Sequence, residues 1–153
     1  MAQHSIPDRF AAASEHGVEV ALIAELLERH GLRVGEVLAL RAEDISDDEL
    51  IFIEGAKGSN DRTLYDPAGV ASLQALRPAL QSGRFFRVSY HQVYHHFKRE
   101  GVGSHPPGAT NLRITHHFRA ALIHQLLADG WSHEDVSAFI GHKSTDTLEF
   151  YLE

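Results

Sequence analysis

His116 and Arg119 lie three residues apart in "HHFRAALIHQLL" (116–127), and on a helix that spacing puts both side chains on one face. They fall in a first turn, where backbone N–H groups and the helix dipole favour an anion. A phosphate or carboxylate is the natural guest, and the plainer alternative is a solvated pair making surface hydrogen bonds. His142 follows Gly141 in "FIGH"; glycine can take the left-handed conformation that ends a helix, so the imidazole projects from a turn. Tyr151, between Phe150 and Leu152, reads by its neighbours as a core residue. His91 and His95 in "HQVYHH" are four apart, a spacing that can hold Zn²⁺ on a helix. No Glu stands between them as H-E-x-x-H demands, and no third ligand is identified. The 153 residues include no cysteine, which excludes disulfides, thiolate metal sites and a cysteine nucleophile.

Positioning these groups requires a framework that is mostly α with a small antiparallel β-hairpin. Residues 1–17 have no strong period and read as a loose N-terminal arm. "VEVALIAELLERH" (18–30) is apolar nearly all round, as a buried helix is. "HGLRVGEVLALRAEDI" continues helically after a break at Gly31, with Val34, Val37 and Leu38 on one face. "LIFIEG" (50–55) and "DRTLYD" (61–66) read as strands paired across the turn formers of "AKGSN". Pro67 suits the first turn of a helix running to about Leu80, and a further helix covers about 89–100, stopped by Gly101. "GVGSHPPGAT" is a loop by composition. Thr115 is the expected cap of a helix that opens at His116 and runs to Asp129, its Phe118, Leu122 and Leu126 forming the core stripe. "SHEDVSAFIGH" is a short helix with Ser132 as cap and Gly141 as stop, and "STDTLEFYLE" adds one or two last turns.

The chain carries a formal charge of −7, which argues against a generic polyanion binder. The average hides an asymmetry. Between Arg84 and His124 stand six Lys or Arg and one acid, a block of +5 that leaves −12 for the rest, and seven of the twelve histidines lie in that block. One basic face on an acidic protein steers a polyanion, because local potential matters more than the total. No apolar run approaches the ~20 residues of a membrane span, and "MAQHSIPDRF" has no basic-then-apolar leader pattern. The expected location is cytoplasmic, and nucleoid-associated if the source is bacterial or archaeal.

Residues 18–153 resemble the catalytic domain of the tyrosine recombinases, the phage integrase family. "HGLRVGEVLALRAEDI" looks like the family's first-arginine box, with Arg33 in the arginine place and Glu36 three residues on. "IEGAKGSNDRT" resembles its lysine-bearing hairpin, with Lys57 at the turn. "HHFRAALIHQLL" matches the H-x-x-R box, "FIGH" the L-G-H box, and "STDTLEFY" places Tyr151 at the nucleophile spacing. Any one box is weak; six positions in order and at the right spacing are strong.

The resemblance implies site-specific cleavage and rejoining of double-stranded DNA through a 3′-phosphotyrosine intermediate, with no cofactor and no metal. Arg33 and Arg119 would hold the non-bridging phosphate oxygens through forked hydrogen bonds, and His142 would add a donor. Tyr151 would be the nucleophile, His116 its base and Lys57 the general acid on the departing 5′ oxygen. Glu36 is read as a structural partner of a basic group, and His117 either as a bystander or as facing DNA. Arg62, Lys98, Arg99, Arg113 and Lys143 are phosphate contacts by sign. The implied assembly is a monomer alone and a tetramer on DNA. Ala120 stands where the family places a second histidine, and two residues follow Tyr151 where relatives carry a longer tail. The competing readings are a DNA-binding or scaffold relative without chemistry, a type IB topoisomerase-like enzyme, and a metalloenzyme built on His91 and His95.

Overall fold

A computed structural model describes residues 16–55, 59–76, 83–103 and 113–142. Helix α1 (Gly17–His30) forms from the all-round apolar run, and Val20, Ile23, Ala24, Leu26 and Leu27 have no exposed surface. The long helix expected next is two short pieces, α2 (Val34–Leu38) and a single 3₁₀ turn at Ala42–Asp44. The chain leaves the helix because its backbone finds partners elsewhere: Ala42 N–H donates to Gly83 O (2.9 Å) and Phe85 N–H to Leu40 O (3.4 Å). Leu40 is thereby delivered into the core.

Strands β1 (Leu50–Ile53) and β2 (Arg62–Tyr65) pair antiparallel, with Ile51 opposite Leu64 and Ile53 opposite Arg62. Ile51, Ile53 and Leu64 are buried, while Phe52, Thr63 and Tyr65 face out. Period-2 alternation therefore sets Arg62 on the inner face. Helix α3 (Pro67–Leu76) follows, and α4 (Tyr90–Arg99) opens on a capping box in which Ser89 and Gln92 bond each other's backbone N–H. Helices α5 (Ile114–Ala128) and α6 (His133–Ile140) complete the described elements, Ser132 capping α6 through Asp135 N–H.

Thr115 does not cap α5. The helix starts at Ile114, two residues earlier than expected, and Thr115 Oγ1 instead accepts from Val34 N–H (3.3 Å), tying the entrance of α5 to the start of α2. A cross-element bond has displaced the local cap. Helix α1 packs against α2, α3 and α5, and α6 packs against α5. Phe118 joins the main core, whereas Leu122, Ile123 and Leu126 form a second apolar cluster with Val136 and Ile140. No helix among the described residues is long and apolar enough to cross a membrane.

Asp66 joins two helices. Its Oδ1 accepts from Gly69 N–H (2.9 Å), capping α3, while Oδ2 accepts from Arg29 Nε (3.1 Å) and Nη2 (2.9 Å) and lies 2.8 Å from His30 Nε2. Burial pushes its carboxyl up, but the bonds to His30, Gly69 and Arg29 outweigh that and hold it below the usual range. Asp66→Ala removes a helix cap and leaves the buried His30 ring without its partner, so it should cost about 2 kcal/mol. A urea denaturation curve checks this, with the midpoint expected to fall.

Candidate active site

Arg119 is entirely buried, although arginine is among the residues least often found inside. The plainer alternative, a solvated surface pair, does not describe Arg119: its side of α5 is packed between α1 and α6. Burial is tolerable because acceptors surround the guanidinium. Its Nε donates to Gly31 O at 2.6 Å, and Nη2 reaches Ile140 O at 3.5 Å and lies 3.9 Å from Glu36 Oε1. Nη1 faces His142 Nε2 at 3.5 Å. One side chain thus spans the end of α1 and the end of α6. Gly31 is essential to this arrangement, since it ends α1 at φ +64° and a Cβ there would lie 3.1 Å from Leu122 Cδ2 and 3.6 Å from Arg119 Cγ.

Glu36 lies beneath the cluster with its side chain fully covered. Oε1 accepts from the Arg33 backbone N–H (2.8 Å) and from Arg62 Nη2 (3.1 Å), and Oε2 accepts from Arg62 Nη1 (3.2 Å). The fork-to-fork pair explains why Arg62 turns inward. Its side chain is 9% exposed, a setting unlike that of the surface phosphate contact expected from its sign. Arg62 also lies against Gly141, where φ is +87° and a Cβ would come within 2.5 Å of Nη1. Gly141 therefore both closes α6 and leaves room for a guanidinium. The turn is a Schellman motif, with His142 N–H on Ser137 O (2.8 Å) and Gly141 N–H on Ala138 O (3.2 Å).

Arg33 caps α2 in extended backbone geometry and is half-buried, with Nε donating to Ser59 Oγ (3.2 Å). The next residue, Asn60, grips the α6 turn through its N–H on Gly141 O (2.7 Å) and its Nδ2 on His142 O (3.2 Å). These bonds close a ring: Arg33 to Ser59, Asn60 to His142, His142 to Arg119, and Arg119 to Gly31, two residues before Arg33. Three side chains from opposite parts of the sequence share one small region.

The electrostatics of His142 reflect that crowding. Burial first, then the charges of Arg119, Arg33 and Arg62, push its pKa down to about 4. The folded protein thus refuses a proton that the unfolded chain accepts between pH 6.5 and about 4. Stability is full above pH 6.5 and declines by a few kcal/mol as pH falls through that window, because each pH step of one between the two values contributes on the order of 1.4 kcal/mol. His30, lowered chiefly by burial, acts in the same direction. Urea midpoints measured from pH 7 to pH 4 should fall less steeply for His142→Gln than for the wild type.

His116 stands one turn before Arg119, half-buried, its pKa lowered by burial and by Arg113. Lys98 is exposed on α4, Arg99 lies one residue on with Nη2 3.1 Å from His96 Nδ1, and Arg113 is exposed at the entrance to α5. Lys57, Lys143 and Tyr151 lie outside the described residues, as do positions 1–15 of the expected arm. Sequence reasoning missed Ser59 and Asn60, which read only as turn formers, and it missed the Gly31 carbonyl. The signal for Ser59 and Asn60 was their place two and three residues after Lys57, on the hairpin that the resemblance already assigned to the site.

The profile of the Phage integrase family matches residues 1–153. The chain belongs to the phage integrase family. These are the tyrosine recombinases, and the described fold is their integrase-like catalytic fold, mostly helical with one two-stranded antiparallel sheet. Among solved structures the chain is similar to XerA recombinase, at 20% identity and TM-score 0.64 over 95% of this chain and 56% of that one. It is similar to the catalytic domain of bacteriophage HP1 integrase, at 17% identity and TM-score 0.67, covering 95% of this chain and 79% of that one. A lambda integrase dimer bound to a COC′ core site matches at 19% identity and TM-score 0.67, over 96% of this chain and 45% of that one. At these identities the likeness is one of fold. The chain thus spans about half the length of XerA recombinase and of the lambda integrase chain. No curated protein matches the sequence.

Proposed function

We propose that this chain cleaves and rejoins DNA strands site-specifically through a 3′-phosphotyrosine formed by Tyr151, releasing a 5′-hydroxyl and needing no cofactor. The observation that carries the proposal is the Glu36-anchored ring that gathers Arg33, Arg119 and His142. Attack on a phosphodiester loads negative charge onto two non-bridging oxygens, and two preorganised guanidinium groups with an imidazole are suited to stabilise it. Arg119, fixed by Gly31 O and directed at His142, takes one oxygen; Arg33 takes the other. His116 stays neutral near pH 7, as its lowered pKa implies, and is able to accept the Tyr151 proton. Lys57 protonates the departing 5′ oxygen. Since Arg119 is fully covered in this state, DNA has to open the site before a phosphate reaches it.

Arg62 is reassigned from a phosphate contact to a positioning group that locks Glu36 and supports the Gly141 turn. Lys98, Arg99, Arg113 and Lys143 remain the proposed backbone contacts, worth a reduced salt dependence of DNA binding when removed. The partner is double-stranded DNA, with a monomer alone and a tetramer forming on it. Residues 18–153 form the catalytic unit.

A nicked DNA substrate, which loses a short strand once cleaved, tests the reading. Wild-type chain should give a denaturation-resistant protein–DNA adduct that Tyr151→Phe abolishes. DNA binding with no adduct would instead favour a relative that keeps the fold without chemistry. Supercoil relaxation without strand exchange would favour the type IB topoisomerase-like alternative.

A further inference from the structure

Helix α4 carries three histidines in "HQVYHH", and they divide. His96 is turned inward, buried, with Nδ1 3.1 Å from Arg99 Nη2. His91 and His95, one turn apart, are both exposed, and their Nε2 atoms lie 2.9 Å from each other. Nothing in the proposed phosphate chemistry uses them.

The ring geometry bears on how such a pair can be used. A head-on N–H···N hydrogen bond at this separation would set the ring centroids roughly 5.2 Å apart. Two rings radiating at a right angle from one metal ion, with N–metal distances of about 2.05 Å, would set them roughly 4.5 Å apart. The observed centroid separation is 4.2 Å, with the rings at 84° to each other. The rings meet in a T instead of aligning nose to nose, which leaves at least one nitrogen lone pair off the N···N line.

The nitrogen separation also selects a coordination geometry. With N–metal bonds of about 2.0–2.1 Å, nitrogens 2.9 Å apart subtend about 90° at the metal, while tetrahedral ligands would need roughly 3.4 Å. A right angle is the cis relation of tetragonal and octahedral ions, Cu²⁺ and Ni²⁺, and it differs from what tetrahedral Zn²⁺ prefers. We infer that His91 and His95 form a two-imidazole chelate on the exposed face of α4 for a tetragonal or octahedral divalent ion, Cu²⁺ or Ni²⁺. No group of three or more His, Cys, Asp or Glu suited to a metal occurs among the described residues. Water or an outside ligand completes the coordination sphere. The site shares no residue with the Arg33, Arg119 and His142 cluster, and an ion there adds two positive charges to the helix that carries Lys98 and Arg99.

The test titrates untagged full-length protein with Cu²⁺, reading paramagnetic resonance and calorimetry, and repeats the thermal melt with Ni²⁺. Wild type should bind one Cu²⁺ with the nitrogen hyperfine pattern of two imidazoles. Either ion should raise the melting temperature by binding the folded state. His91→Gln and His95→Gln should each weaken binding at least tenfold and abolish the shift, without changing the metal-free melt. His124→Gln, an exposed histidine on α5, should bind as wild type does. The inference is overturned if either α4 variant keeps wild-type affinity, or if the wild-type spectrum shows a single coordinating nitrogen.

Discussion

Arg119→Ala should form the covalent DNA adduct about a hundred- to a thousandfold more slowly than wild type, the loss that follows removal of one preorganised donor to a developing oxyanion. The effect is large because Arg119 lies wholly inside the protein, where charge is poorly screened. It is also held before substrate arrives, by Gly31 O at 2.6 Å, so reorienting it in the reaction carries little additional cost. Arg119→Lys separates charge from geometry. A lysine keeps the positive charge but cannot hold Gly31 O and face His142 at once. Its adduct rate should therefore stay at least tenfold below wild type while its melting temperature stays closer to wild type than that of the alanine variant. Single-turnover cleavage of the nicked substrate measures the first quantity, and a thermal melt the second.

Glu36→Ala should be the most destabilising single change in the site. Its carboxylate accepts two bonds from Arg62 and one from the Arg33 backbone, and it offsets the charge of Arg119. Removing it strands two buried guanidinium groups without their counter-ion, at about 3–5 kcal/mol. For a chain of this size that lowers the melting temperature by roughly 10 °C. Glu36→Gln retains shape and some hydrogen bonding, so it should fall between wild type and alanine. The same variants should slow adduct formation, because Arg33 and the Gly141 turn both rest on this carboxylate, the turn through Arg62.

Much of this arrangement was legible in the residues. Gly31, Gly101, Gly130 and Gly141 end their helices as expected, and β1 and β2 fall inside the strands read from β-branched and aromatic runs. The boxes that mark the family singled out Arg33, Arg119 and His142, which the fold brings into one region. Long-range bonds were not legible. Thr115 has the chemistry of a cap, yet it serves α2 instead, 81 residues away. "HGLRVGEVLALRAEDI" has a helical period, but backbone bonds to residues 83–85 break it, and no local signal announces a partner that distant. The Arg62 setting was within reach: alternation from buried Leu64 assigns it inward, and an inward arginine needs an acid, which Glu36 supplies. Reading its charge before its strand parity led to the surface assignment.

Replacing one non-bridging oxygen of the scissile phosphate by a methyl group removes the negative charge that Arg33 and Arg119 are proposed to hold. Adduct formation by wild type and by Arg119→Ala, compared on this neutral linkage and on the ordinary diester, tests that pairing directly. The rate deficit of Arg119→Ala should shrink at least tenfold on the methylated linkage, because the charge it would have balanced is gone. An equal deficit on both linkages would contradict the assignment, showing that Arg119 supports the fold without meeting the phosphate.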